Sequence, residues 1–145
     1  MTNRMESALS CFTEGFSCSQ AVLCAYSDHF NLDRTTALKI SQPFGGGIAH
    51  QGGICGAVSG AFMVLGLKYG RTQAEDLEAR EKTYKKILEF IERFTASNGS
   101  TVCRELLGYD LSTPEGFQQA VDAGLIDTLC PKLIQSSIKI LEKIL

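Results

Sequence analysis

Apolar and polar positions alternate along this chain with the helical period and nowhere with period two for long enough to make a strand. The pattern predicts an all-α single domain over residues 1–145, about six to seven helices around a buried, glycine-rich central helix. A first helix is expected over Arg4 to Glu14, stopped by Gly15. Ser17 and Gln20 read as a capping box opening a second helix that runs to about Phe30. Asp33 can cap a short helix that Pro43 ends. After the loop from Phe44 to Gly53, a helix over Ile54 to Lys68 is apolar on every face, which predicts burial. Gly56 and Gly60, four residues apart on it, would let a neighbouring helix come close. A long amphipathic helix is expected over Thr72 to Ala96, with Tyr84, Ile87, Leu88, Ile91 and Phe94 inward. Its wet face carries the pairs Glu78 and Lys82, Glu81 and Lys85, and Glu89 and Arg93. Ser100 can cap a short helix through Leu107, and Ser112 to Glu115 reads as a second capping box. Cys130-Pro131 opens the last helix, with Leu133, Ile134, Ile138, Leu141 and Ile144 inward.

Composition narrows the function classes. Hydrophobic residues at 44% and charged ones at 21% describe a globular chain, and a net charge of −2 gives no footprint for nucleic acid. From Ile40 to Leu67 there is no charged side chain, but the run holds Pro43 and seven glycines up to Gly60, so a buried helix is expected and no membrane span. The opening residues lack a basic segment followed by an apolar one, which predicts a cytoplasmic location, where thiols stay reduced.

Six cysteines in a reduced compartment call for metal binding or redox chemistry. Cys18, Cys55, Cys103 and Cys130 each fall in the first turn of an expected helix. Free N–H groups and the helix dipole there stabilise a thiolate, which is both metal ligand and nucleophile. Carried by four helices, these sulfurs can meet at one centre. Cys11 and Cys24 fall inside helices and are expected to be small core residues. No C-x-x-C pair exists, so a site built from the quartet is nonlocal. The glycine loop, Gly45, Gly46 and Gly47 with Gly53 and Gly56 behind it, suits a backbone passing close to a cofactor. It lacks the lysine of a phosphate-binding loop. His50 in that loop is a lone candidate ligand or proton donor.

The strings CSQAVL (Cys18 to Leu23), PFGGG (Pro43 to Gly47), CGAVSGAFMVLGLKYG (Cys55 to Gly70) and CRELLGYDL (Cys103 to Leu111), with Cys130, resemble the C_GCAxxG_C_C family of bacterial and archaeal proteins proposed to be redox-active. The resemblance spans Cys18 to Cys130. It implies a helical fold, a redox role, and functional residues at the four cysteines, Gly56 and Gly60. A related cysteine-bearing domain accompanies the haem region of split-Soret cytochromes, where an iron–sulfur centre has been proposed. The family name reads Gly-Cys-Ala where this chain has Cys55-Gly56-Ala57, a one-residue shift that turns a sulfur by about 100° around a helix.

Three functions follow as expectations. The quartet binds an iron–sulfur cluster or a single metal ion, iron or zinc, for electron transfer to an unidentified partner protein. Alternatively the chain is a thiol–disulfide oxidoreductase with Cys18 and Cys55 as its pair, or a zinc-stapled interaction module. The glycine-faced central helix also offers a contact for a homodimer.

Overall fold

The computed structural model describes residues 3–145. It is all-helical, as the periodicity requires: α1 (Asn3–Thr13), α2 (Cys18–Ser27), α3 (Arg34–Ser41), α4 (Gly56–Tyr69), α5 (Leu77–Asn98), α6 (Cys103–Leu107), α7 (Pro114–Asp122) and α8 (Leu125–Ile144). No strand occurs among the described residues, and none of the helices is long and apolar enough to cross a membrane.

Local chemistry sets most of the helix starts. Ser17 and Gln20 form the expected capping box on α2, and the Asp33 carboxylate accepts from the Thr36 N–H at the start of α3. Several starts differ from the sequence reading. Helix α4 begins at Gly56 rather than Ile54, and α6 at Cys103 after Val102, with the Ser100 hydroxyl accepting from the Val102 N–H ahead of the helix instead of capping it. Helix α5 begins at Leu77, because Asp76 rather than Thr72 satisfies a free N–H, that of Ala79. Helix α7 is capped by Thr113, one residue later than expected, which places Pro114 at the first helical position. Helix α8 begins at Leu125 after Gly124 in the left-handed conformation, so Pro131 lies inside the helix and not at its start.

Helix α4 is the centre of the core. Ala57, Val58, Ala61, Val64 and Leu65 are fully buried between α2, α5 and α8. Helix α5 contributes Phe90 and Phe94, stacked at 5.8 Å, with Phe62 of α4 edge-on to Phe90 at 6.0 Å. Burying each such ring contributes about 1.5–3 kcal/mol. Of the stripe expected on α5, Phe94 is fully buried and Ile87 packs on the core, whereas Tyr84 and Leu88 are exposed and Phe90 is buried in their stead. On its wet face Glu89 and Arg93 pair at 3.2 Å, whereas Glu81 pairs with Arg80. All five residues expected to face inward on α8 do so.

Helices α2 and α4 approach each other closely at two glycines of α4. A Cβ on Gly60 would lie 2.8 Å from the Ser19 carbonyl oxygen, and one on Gly56 2.9 Å from the Ser19 nitrogen and 3.2 Å from Cys18 Cβ. The glycine face of α4, expected to offer a contact for a homodimer, meets α2 of the same chain.

Gly60→Ala is expected to destabilise the protein by about 1–3 kcal/mol, because backbone must move to admit the methyl. Gly66→Ala, on the same helix with open space around it, should stabilise by about 0.5–1 kcal/mol. Urea denaturation of both variants measures the contrast; equal losses would contradict the close-approach account.

Candidate functional site: a four-cysteine cleft

Three separate ties bring the start of α4 together with the other cysteine-bearing helices. The glycine contact sets Cys18, the first residue of α2, beside Gly56. An isolated antiparallel bridge pairs Ile54 with Val102. Through it the Cys55 N–H donates to Thr101 O at 2.8 Å and the Cys103 N–H to Gly53 O at 2.7 Å. Helix α8 is tied in by the buried Ser137 hydroxyl, which donates to Ala57 O at 2.8 Å. Each tie is nonlocal in sequence, and together they point four cysteines the same way.

Cys18, Cys55, Cys103 and Cys130 all line one cleft of about 820 Å³. Cys55, Cys103 and Cys130 are buried and Cys18 is partly so. Every pair among the four lies within electrostatic reach. The thiol of Cys18 donates a hydrogen bond to the sulfur of Cys130, which holds Cys18 well above its ordinary pKa, with burial and the other three sulfurs adding to the rise. Accepting that bond lowers Cys130, against burial and the nearby Asp127. Burial pushes Cys55 up to about 12, opposed by the N–H groups of Ala57 and Val58 in the first turn of α4. Burial, then Cys130, raises Cys103 to about 11.

Three of the four cysteines hold the helix-start position read from the sequence. Cys18 and Cys103 are the first residues of α2 and α6, and Cys55 is the N-cap of α4. Cys130 does not, because α8 starts earlier and places it in the second turn, just before Pro131. A proline inside a helix removes one hydrogen bond to the carbonyl four residues back, here that of Asp127. The helix-start position therefore holds for three sulfurs, yet all three are raised, because burial and the neighbouring thiols outweigh the helix dipole; the one lowered is Cys130, through its hydrogen bond with Cys18. The thiol bonded to Cys18 is that of Cys130, while Cys55 lies within reach of both.

One wall of the cleft is an unusual loop. Residues Gly46 to His50 all have positive φ, between 48° and 69°, and three of them are not glycine: Ile48, Ala49 and His50. The left-handed conformation costs roughly 1–2 kcal/mol for each such residue, so the fold must hold the loop against its preference. It does so with Gly52 N–H to Gly46 O at 3.1 Å and Gly53 N–H to Gly47 O at 2.9 Å. From α6, the Arg104 guanidinium donates to Gln51 O at 3.3 Å while pairing with Asp110 at 3.1 Å. A Cβ on Gly47 would sit 2.5 Å from the Gly53 nitrogen, so these two glycines serve the loop's own closure and do not line the cleft. Gly45, Gly46 and Gly56 do line it. His50 is delivered to the cleft, its ring stacked on Phe117 at 5.0 Å. Arg104 and Phe117 were not legible as site residues, since each acts through a partner far away in sequence.

The donor set fits a thiophilic metal: four sulfurs, no competing cation, and apolar walls that include Phe12, Phe16 and Leu106. Among the described residues, however, no three Cys, His, Asp or Glu side chains are drawn together into a ready coordination shell. The sulfurs line the space without closing on a point.

Comparison with known proteins decides the family. Residues 16–144 match the family model described as "Putative redox-active protein (C_GCAxxG_C_C)". The chain belongs to that family. The match takes in all four cleft cysteines and most of the helices that position them, so a redox role is a property of this C_GCAxxG_C_C protein's family. No curated protein and no solved structure matches the chain. Cys11 and Cys24, expected in the core, are indeed buried. They also contact one another.

The raised pKa values predict alkaline sensitivity. An unfolded thiol titrates near 8.5, whereas folded Cys55 and Cys103 stay neutral to about 12 and 11. Their stabilising contribution is complete below the unfolded value and is lost as pH rises through the folded ones, by up to about 1.4 kcal/mol per pH unit per thiol. Urea midpoints of the reduced, metal-free protein at pH 8, 9 and 10 or thereabouts should fall in this way. Cys55→Ala should show the shallower fall; an equal slope would contradict the burial of this thiol.

Proposed function

We propose that this protein is an electron carrier whose four cleft cysteines ligate an iron–sulfur cluster or a single iron ion. The observation that carries the reading is the convergence of Cys18, Cys55, Cys103 and Cys130 on one apolar cleft from four different helices. Family membership supports the redox half of it. Thiolates are the ligands such centres take, and a bound centre would supply one-electron chemistry. The chain's own residues do the rest. Cys55 and Cys103 begin as neutral thiols, so loading must displace their protons, and the N–H groups of Ala57 and Val58 stabilise the Cys55 sulfur once it is charged. Cys130, already lowered by Cys18, gives up its proton most readily of the four. Phe12, Phe16 and Leu106 give the cleft apolar walls, and the clamped loop forms another side of it. Because no shell is preformed, the sulfurs must draw inward on loading.

A second reading, favoured by the Cys18–Cys130 hydrogen bond, is thiol–disulfide exchange. There the more acidic Cys130 attacks a substrate disulfide and Cys18 resolves the mixed disulfide.

Purification without oxygen followed by iron, sulfide and zinc analysis separates the readings. Electron transfer predicts a brown protein carrying iron and sulfide. Thiol exchange predicts a metal-free protein with a disulfide that equilibrates with glutathione. A colourless protein losing one zinc together with its fold on chelation would be a structural module and would end both. Cys103→Ser should reduce metal loading by at least about tenfold. Cys24→Ser should leave loading near that of the unaltered protein, and equal losses in the two variants would refute the grouping.

A further inference from the structure

Outside the cleft, two more thiols meet. Cys11 on α1 and Cys24 on α2 are 2% and 8% exposed, on helices that pack against each other along their lengths. The Cys11 thiol donates a hydrogen bond to the Cys24 sulfur. Accepting it lowers the Cys24 pKa against the opposing effect of burial, and Arg34 at the start of α3 lowers it further. The two cysteines are not equally reachable. A surface pocket of about 330 Å³, lined by Arg4, Ser7, Cys24, Asp28 and Arg34 among others, opens onto Cys24 and not onto Cys11. A pair kept only to fill space needs neither the thiol–thiol bond, nor the nearby cation, nor an entrance to one of its members.

We infer that Cys11 and Cys24 form a second redox site, a dithiol that exchanges with a small peptide disulfide of the glutathione class and closes into a disulfide joining α1 to α2. The steps balance without any other reactant. The Cys24 thiolate attacks one sulfur of glutathione disulfide, forming a mixed disulfide and releasing one glutathione thiolate, which takes up the proton that Cys24 gave up. Cys11, the thiol beside it, then loses its proton and attacks the Cys24 sulfur, so that the protein disulfide forms and the second glutathione leaves with that proton. Two protein thiols are oxidised and one small disulfide is reduced to two thiols. The arginines of the pocket suit the carboxylates of such a tripeptide, although each already has a protein partner, Arg4 with Asp28 at 3.0 Å and Arg34 with Glu14 at 3.2 Å. The segment enclosed by the bridge contains Phe12, Phe16 and Cys18, all lining the main cleft. Oxidation at this second site therefore ties down one wall of the first.

The test uses the full chain equilibrated in glutathione buffers from reducing to oxidising, quenched in acid, alkylated, and cut by trypsin with a glutamate-specific protease. Those cuts place Cys11 on residues 7–14 and Cys24 on residues 15–34, with Cys18 on the latter. The two peptides should be linked in more than about half of the molecules at the oxidising end and in under about a tenth at the reducing end. The link should persist in Cys18→Ser, where Cys24 is the remaining cysteine of its peptide. Cys11→Ser should accumulate a glutathione adduct on Cys24, and Cys24→Ser should leave Cys11 unmodified. Full alkylation of both residues at every poise, a link that vanishes in Cys18→Ser, or an adduct on Cys11 would each overturn the inference. Metal content reports on the cleft independently, so either site can fail without the other.

Discussion

The approach of α2 to α4 across two glycines is the constraint from which the rest follows. Without side chains at Gly56 and Gly60, the Ser19 backbone comes to within ordinary contact of the α4 axis, and the first turn of α2 is set against the first turn of α4. That places Cys18 beside Cys55. The Ile54–Val102 bridge adds Cys103 and the Ser137 hydroxyl adds α8, so one helix start becomes the meeting point of four distant segments. The cost of ordering those segments is met by the apolar core around Val58, Ala61, Val64 and Leu65, not by the cleft itself.

The cleft holds three of its thiols against ionisation. Buried sulfurs resist ionisation, and four of them near one another resist it further, since each new charge must sit among the others. The strained loop on one side and the Cys18–Cys130 hydrogen bond on another are both arrangements that a looser fold would relax.

How much of this could be read from the sequence depended on whether the signal was local. Capping at Ser17 and Asp33, the buried α4 and the inward face of α8 were legible, because each rests on residues within a turn or two of one another. The start of α8 is not legible because Pro131 imitates a helix opening while Gly124, seven residues earlier, supplies the turn that begins the helix. The expected stripe on α5 includes Phe94 and Ile87, which do meet the core, but also Tyr84 and Leu88, since periodicity alone cannot tell which of two overlapping faces, theirs or that of Phe90, meets α4. The four cysteines stood out by their positions near helix starts, but the thiol that Cys18 touches is fixed by the packing of α8. The Arg104 clamp on the loop and the Cys11–Cys24 contact are tertiary facts with no sequence signal.

Helix α5 is the longest element, yet it contributes no side chain to the cleft. It covers α4 and α8 from outside and leaves Tyr84 and Leu88 in solvent. Drift on its outer face, or a longer connection ahead of Asp76, would pass without reaching a sulfur. By contrast, one residue inserted between Gly53 and Gly56 would break the register that carries Cys55 and Cys103 together. The tolerance of this chain to change is thus uneven: wide where it is longest, and almost nil across a stretch of a few residues.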